Sequence, residues 1–251
     1  MKRQIPNLIT LGNLLCGFIA TLTAASSDEP RALALAALLI CLGIFLDFFD
    51  GMTARLLDVA SPLGKELDSL ADVVTSGVAP AVLLFSILDS AALYDGVPTW
   101  MGWLPLTAFL MPLFAAYRLA KFNLDTRQHH SFIGLPVPAN ALFWVGIALW
   151  YGTHGNVEFG QTMGPYMGSI AIVALALLSL VVDILMVSEL PMFSLKFNFK
   201  DLSWKTNAIP YCFLIGCVAI VVATRTWYSI SVIIAWYILL SLISCKKIHV
   251  Q

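Results

Sequence analysis

Four aspartates lie close together in a chain that is otherwise strongly apolar. Asp47 and Asp50 are three residues apart, and Asp68 and Asp72 are four residues apart. On helices, each spacing places its two carboxylates on one face. Four carboxylates at one depth would repel one another without a cation between them, and oxygen ligands suit hard cations such as Mg²⁺ or Mn²⁺. The four aspartates are therefore a candidate metal site with ligands for two divalent cations.

The elements that must position these carboxylates are membrane-spanning helices. Of the 251 residues, 59% are hydrophobic and 12% are charged, whereas about a quarter of a soluble domain is charged. The apolar residues form separate runs of about 17–25 residues, the length that crosses a bilayer. We expect an all-α, polytopic integral membrane bundle of about eight spans, forming one domain over residues 1–251. The predicted spans are 8–25, 32–54, 66–89, 101–122, 137–153, 164–187, 207–224 and 227–244.

The distribution of lysine and arginine predicts the orientation. With a cytoplasmic N-terminus, twelve of the 14 Lys and Arg residues lie on or near the inner side, where such residues concentrate. An even number of spans then returns the C-terminus to the cytoplasm. The span 137–153 is the least regular because it contains Pro138, but omitting it would place Lys246 and Lys247 outside. The net charge of −1 gives no reason to expect nucleic acid as a partner.

The two aspartate pairs flank one predicted cytoplasmic turn. Ser61, Pro62 and Gly64 in the linker favour a tight connection, so two antiparallel helix ends would present their carboxylates to each other. Arg55 lies one turn beyond Gly51 and offers a planar donor suited to phosphate. A two-cation carboxylate site beside an arginine at the membrane surface suits phosphoryl transfer, and access from the lipid favours a lipid pyrophosphate as substrate.

The segment from Asp47 to Asp72 resembles the signature of the CDP-alcohol phosphotransferase family. That signature reads DxxDGxxAR, eight or nine residues, then GxxxDxxxD, and DFFDGMTAR followed by GKELDSLAD matches every fixed position. Four further stretches are similar to the branch that uses serine, the CDP-diacylglycerol–serine O-phosphatidyltransferases. They are IPNLITLGNLLCG, DSLADVVTSGVAPA, YRLAKFNL with FIGLPVPA, and PMFSLKFNFK. Ser76 and Lys121 depart from that branch, which usually has Phe and Arg there.

The resemblance implies a reaction and a role for individual residues. CDP-diacylglycerol and L-serine would give phosphatidylserine and CMP, with two divalent cations, Mg²⁺ or Mn²⁺, as cofactors. The cations would be held by Asp47, Asp50, Asp68 and Asp72, and Asp72 would also be the general base. CDP-diacylglycerol would be bound by Pro6, Asn7, Thr10, Gly51, Ala54, Arg55, Ser61 and Gly64. The serine carboxylate or a phosphate would be bound by Arg118, Lys121 and Asn123.

Other interpretations of these residues remain open. A sister enzyme acting on glycerol 3-phosphate or an inositol phosphate would need extra basic residues to bind a phosphorylated acceptor. A divalent-cation transporter also uses intramembrane carboxylates, but the stretches RALALAALLICLG and VVTSGVAPAVLLF in the outer parts of the second and third predicted spans carry no acidic residue. A non-catalytic scaffold would leave the four clustered aspartates unexplained. Asp183, in the sixth predicted span, would pair with an inner-side Lys or Arg or would reach the interface.

The expected setting follows from the charge distribution and the resemblance together. The compact chain and its charge bias fit a prokaryotic cytoplasmic (inner) membrane with the site facing the cytoplasm. The resemblance also implies a homodimer surrounded by membrane lipid.

Overall fold

The computed structural model describes residues 4–27, 29–93, 96–124, 132–154, 164–193 and 204–248, which form eight helical stretches and two short strands. The first four helices are α1 (Ile5–Ser26), α2 (Pro30–Leu56), α3 (Pro62–Ala92) and α4 (Thr99–Leu124). The others are α5 (Val137–His154), α6 (Gly164–Val187), α7 (Trp204–Thr224) and α8 (Ser229–Ile248). The strands β1 (Phe132–Ile133) and β2 (Pro191–Met192) pair antiparallel.

Six of these helices are long and apolar enough to cross a bilayer. They are α1 to α4, the part Gly168–Val187 of α6 and the part Asn207–Thr224 of α7. The predicted polytopic, mostly helical membrane protein is therefore confirmed. The predicted fifth and eighth spans are helical as α5 and α8, but neither belongs to this group of six. α5 is buried at 10 of its 18 residues, so it packs mainly against protein; the count of eight spans and their orientation stay predictions.

Two helices begin earlier than the apolar runs predicted, and each has a proline in its first turn. Pro30 and Pro62 lie in the first turn of α2 and α3, where the missing N–H is harmless. Ser61 caps α3 because its hydroxyl oxygen accepts a hydrogen bond from the Gly64 amide at 3.1 Å. This helix therefore begins before the predicted position 66. Pro138 also lies in the first turn of its helix, so it does not interrupt α5.

α3 contains a π-helical turn, Val73–Val78, immediately after the last of the four aspartates. Thr75 in this turn donates a hydrogen bond to the Asn13 carbonyl oxygen of α1 at 3.0 Å. A β-carbon at Gly17 of α1 or at Gly43 of α2 would run into Thr75. These glycines let three helices approach closely at one point. This junction therefore fixes how α1, α2 and α3 are placed beside the aspartates.

β1 follows α4 and β2 follows α6 along the chain, and the two strands pair in a short ladder. Gly134 follows β1 with a φ of +75°, a conformation that favours glycine. A β-carbon there would also meet the backbone of Met186 and Ser188 at the end of α6. The Leu135 amide donates to the Leu185 carbonyl oxygen at 3.0 Å. These contacts hold the segment before α5 against the end of α6.

Candidate active site

Three of the four aspartates converge where α2 ends and α3 begins. One carboxylate oxygen from each of Asp47, Asp50 and Asp68 lies within 4.8 Å of the others. Asp72, one turn further along α3, lies beside Asp47 and is 8% exposed. The two aspartate pairs lie on consecutive helices, and their carboxylates therefore meet at one place.

The cluster has the chemistry of a cation site. Carboxylate oxygens at this separation can ligate one hard cation together, whereas without a cation their charges repel. Among the described residues, no lysine or arginine forms an ion pair with any of the four aspartates. Asp50 is only 4% exposed, and Oδ1 of Asp72 is buried without a hydrogen-bond partner in the described part of the chain. These residues fit a divalent cation, which would supply the missing positive charge.

α1 forms the third side of the cluster. The Thr10 hydroxyl donates a hydrogen bond to Oδ2 of Asp50 at 2.5 Å. One turn further along, Asn13 is fully buried with its amide next to the Asp72 carboxylate. The family resemblance implied a role for Thr10 but not for Asn13. The signal was present, because Asn7, Thr10 and Asn13 recur at helical spacing along an otherwise apolar helix.

A pocket opens from the carboxylates towards the first turn of α1 and the turn between α2 and α3. It is lined by Asp50, Asp68 and every residue predicted to bind CDP-diacylglycerol, namely Pro6, Asn7, Thr10, Gly51, Ala54, Arg55, Ser61 and Gly64. Val59, Ala60 and Lys65, which the sequence pattern did not single out, complete the lining. The aspartate cluster therefore forms part of the wall of one continuous pocket.

Two local contacts shape this pocket. A β-carbon at Gly64 would lie 3.2 Å from Oγ of Ser61 and 3.3 Å from Oδ1 of Asn7, so glycine lets the first turn of α3 lie against α1. Nε of Arg55 donates to the Gly51 carbonyl oxygen at 3.1 Å. That bond ties the exposed guanidinium to the backbone of α2 at the pocket.

The structure separates the three residues predicted to bind the acceptor. Arg118 and Lys121 line a small pocket at the ends of α4 and α6. Lys121 also forms an ion pair with Glu189 at 3.4 Å. Asn123 does not line this pocket; its amide donates to Oγ of Ser69 at 2.8 Å. Asn123 therefore joins α4 to α3, between the two pockets.

Arg118 connects its pocket to the aspartate cluster. Its side chain is 7% exposed, and Nε has no hydrogen-bond partner among the residues described. Among the described residues, Tyr237 of α8 and Asp72 are the groups close enough to interact with it electrostatically. Arg118 therefore lies within electrostatic reach of the cluster at Asp72.

Asp183 lies away from this cluster. It is fully buried on α6 beside Asn140 of α5, so the expectation that it reaches the membrane interface is wrong. Neither of its carboxylate oxygens has a hydrogen-bond partner within the described ranges, and no ion pair to a Lys or Arg is present there.

Comparison with known proteins gives the family. The model of the CDP-alcohol phosphatidyltransferase family matches residues 3–191. The CDP-diacylglycerol–serine O-phosphatidyltransferase of Bacillus subtilis is 37% identical over 147 residues, which are 59% of this chain and 76% of that protein. The Helicobacter pylori protein of the same name is 33% identical over 176 residues, 69% of each chain. The Methanocaldococcus jannaschii protein of that name is 31% identical over 186 residues, 74% of this chain and 72% of the relative. Because the match covers the aspartate cluster and both pockets, this chain belongs to the CDP-alcohol phosphatidyltransferase family.

Proposed function

We propose that this protein transfers the phosphatidyl group of CDP-diacylglycerol to the hydroxyl of L-serine and releases CMP. The observation that carries the proposal is the pocket in which Asp50 and Asp68 of the aspartate cluster lie together with all eight residues expected to bind CDP-diacylglycerol. The names of the relatives in Bacillus subtilis, Helicobacter pylori and Methanocaldococcus jannaschii support serine as the acceptor.

The four aspartates would hold two divalent cations, Mg²⁺ or Mn²⁺. This is supported by the convergence of three carboxylates and by the lack of a protein cation paired with them in the described part of the chain. When bound, such cations neutralise pyrophosphate charge and stabilise the leaving group. Thr10 would hold the Asp50 carboxylate in one orientation through its hydrogen bond, as partners of metal ligands do.

Asp72 would be the general base. The serine hydroxyl oxygen would form a bond to the phosphorus that carries diacylglycerol, and the bond from that phosphorus to the bridging oxygen of CMP would break. The hydroxyl proton would pass to Asp72. This carboxylate suits the role because it is buried beside Asp47 and its Oδ1 makes no hydrogen bond to any described residue. A direct in-line attack of this kind requires no covalent enzyme intermediate.

CDP-diacylglycerol would occupy the pocket between α1 and the turn joining α2 to α3. Arg55 would offer its guanidinium to the pyrophosphate, since a planar fork suits phosphate oxygens. Gly51 lies directly beside this guanidinium, since a β-carbon there would be 3.6 Å from Nη2 of Arg55. The acyl chains would stay in the bilayer against exposed apolar side chains of α1 and α2, such as Leu11 and Phe48.

Serine would bind between Asp72 and Arg118. The hydroxyl and carboxylate of serine are separated by only a few bonds, so the groups that bind them must lie near each other; Arg118 and Asp72 are close enough to interact electrostatically. Arg118 would pair with the serine carboxylate in a bidentate contact, and Lys121 would add positive charge at the pocket entrance. Asn123 would support this arrangement by joining α4 to α3 through Ser69.

We further propose that the whole chain, residues 1–251, is one membrane domain of a homodimer. The active site would face the cytoplasm in a prokaryotic inner membrane. The orientation is supported by the twelve of 14 Lys and Arg residues on the predicted inner side, and the homodimer by the family resemblance.

The test is release of CMP by purified protein in detergent with CDP-diacylglycerol and Mn²⁺ or Mg²⁺. L-serine, glycerol 3-phosphate and an inositol phosphate are supplied in separate reactions. We expect release with serine, loss of release with EDTA, and recovery when either cation is added in excess. Asp72→Asn should be inactive, whereas Asp58→Asn, an exposed aspartate in the same turn, should keep full activity.

Two results would contradict the proposal in different ways. Release with glycerol 3-phosphate but not with serine would contradict the acceptor. Full turnover by Asp72→Asn would contradict the general base.

A further inference from the structure

Asn13 is a buried amide that the proposed reaction does not yet use. It is 0% exposed on α1, and neither Nδ2 nor Oδ1 reaches a hydrogen-bond partner among the residues that the structure describes. Leaving a buried polar group unpaired costs about 1–3 kcal/mol. Most buried polar groups in proteins are paired, so such an exception needs a specific reason.

Neighbouring helices hold both the backbone and the side chain of Asn13. The Thr75 hydroxyl of the π-helical turn donates to the Asn13 carbonyl oxygen at 3.0 Å. On α2, a β-carbon at Gly43 would lie 2.9 Å from Oδ1 of Asn13, so the amide occupies space that only glycine leaves open. The backbone and the side chain of Asn13 are therefore both held in place at the junction of α1, α2 and α3.

The group that this amide faces is the Asp72 carboxylate. The two side chains are close enough to interact, although the Asn13 amide does not meet the distance and angle of a hydrogen bond to any described residue. Oδ1 of Asp72 is itself buried and unpaired within the described ranges. The Nδ2 donor of Asn13 and the Oδ1 acceptor of Asp72 thus lie near each other at the aspartate cluster, and neither is hydrogen-bonded to a described residue.

We propose that Asn13 is a positioning residue for Asp72. It donates from Nδ2 to one oxygen of this carboxylate when cation and substrate are bound, and the second oxygen is left free for the acceptor hydroxyl or the cation. The proposal deepens the function proposed above and rests on it for its kinetic test. Removing a partner of this kind from a ligand lowers metal affinity or activity by about 10–100-fold.

The central variant is Asn13→Leu, which has a similar volume and no donor. We expect kcat with serine to fall by about 10–100-fold, KM for CDP-diacylglycerol to stay within about twofold, and Mn²⁺ affinity to fall by at least about fivefold. Mn²⁺ binding is followed by the electron paramagnetic resonance signal of the free ion, without turnover. The melting temperature should not fall, because an unpaired amide has been replaced by an apolar side chain.

A second pair of variants tests the hydrogen bond that holds the Asn13 backbone in place. Thr75→Val removes the hydroxyl that holds its carbonyl oxygen, and Ser86→Ala removes a comparable bond between the same two helices, from Ser86 to the Ala24 carbonyl oxygen at 2.8 Å. Ser86 lies 14 residues beyond Asp72, or about 21 Å along α3. We expect Thr75→Val to lower kcat by at least about threefold and Ser86→Ala to leave it unchanged.

The outcomes separate this proposal from the proposed function. If the wild-type protein releases no CMP with serine, the proposed function fails, and the Mn²⁺ titration still tests Asn13. If Asn13→Leu keeps wild-type kcat and Mn²⁺ affinity, Asn13 does not position Asp72. Should Asn13→Leu fail to fold, Asn13→Asp and Thr75→Val replace it. Unchanged kcat and Mn²⁺ affinity in both would overturn the proposal.

Discussion

Replacing Gly17 by alanine should push α1 away from α3 and lower activity. Gly17 packs against Thr75 in the π-helical turn. A β-carbon at this position would lie 2.6 Å from the Thr75 Cα, a backbone atom that no side-chain rotation can move. For this pair to reach an ordinary contact of 3.4 Å, the two helices must separate there by about 0.8 Å.

A shift of this size reaches the active site because α1 carries Thr10 and Asn13, which lie against two of the aspartates. A misplacement of about 1 Å can reduce catalysis about 100-fold, and overpacking destabilises a protein by about 1–3 kcal/mol. We therefore expect kcat/KM to fall by roughly 30–100-fold. The melting temperature should fall by about 2–10 °C.

The matched control is Gly12→Ala on the same helix. Its β-carbon would meet only Cδ1 of Leu46, at 3.4 Å, and alanine favours a helix over glycine by about 0.8–1 kcal/mol. Both variants are assayed for CMP release with serine and for thermal unfolding in detergent. Gly12→Ala should keep activity within about twofold of wild type. If Gly17→Ala does so as well, the close contact of α1 with α3 does not set the geometry of the site.

Other variants test single contacts of the aspartate cluster and the acceptor pocket. Thr10→Val keeps the side-chain shape but removes the hydrogen bond to Asp50, so kcat should fall by about 10-fold; unchanged Mn²⁺ dependence and kcat would count against the contact. Arg118→Leu should raise KM for serine by about 10–100-fold, which corresponds to the free energy of one charged hydrogen bond. KM for CDP-diacylglycerol should be unchanged. Arg118→Lys should recover only part of this loss because lysine lacks the planar fork; equal effects on both substrates would contradict a role in the acceptor pocket.

Much of the site was visible in the order of residues along the chain. The spacing of the four aspartates, and of the glycines and arginine around them, predicted one cluster at a helix–turn–helix, because neighbouring helix faces follow from local periodicity. The same reasoning placed Ser61 and Gly64 in the turn that joins the two helices, and the family resemblance implied that they bind CDP-diacylglycerol. The residues at the start of α1 came from the family resemblance, because nothing local links Pro6 or Asn7 to aspartates 40 or more positions away.

The sequence by itself determined the membrane class, the helical segments and the chemistry of the aspartates. These depend on apolar run length and on spacing within one or two adjacent helices, which are local properties of the chain. Tertiary structure alone decided that Asn13 lies at Asp72, that Asn123 binds Ser69 instead of sharing the Arg118 pocket, and that α5 is largely buried. Each of these depends on how separate helices pack, and in a close-packed interior that is set by shape complementarity between residues far apart in the chain.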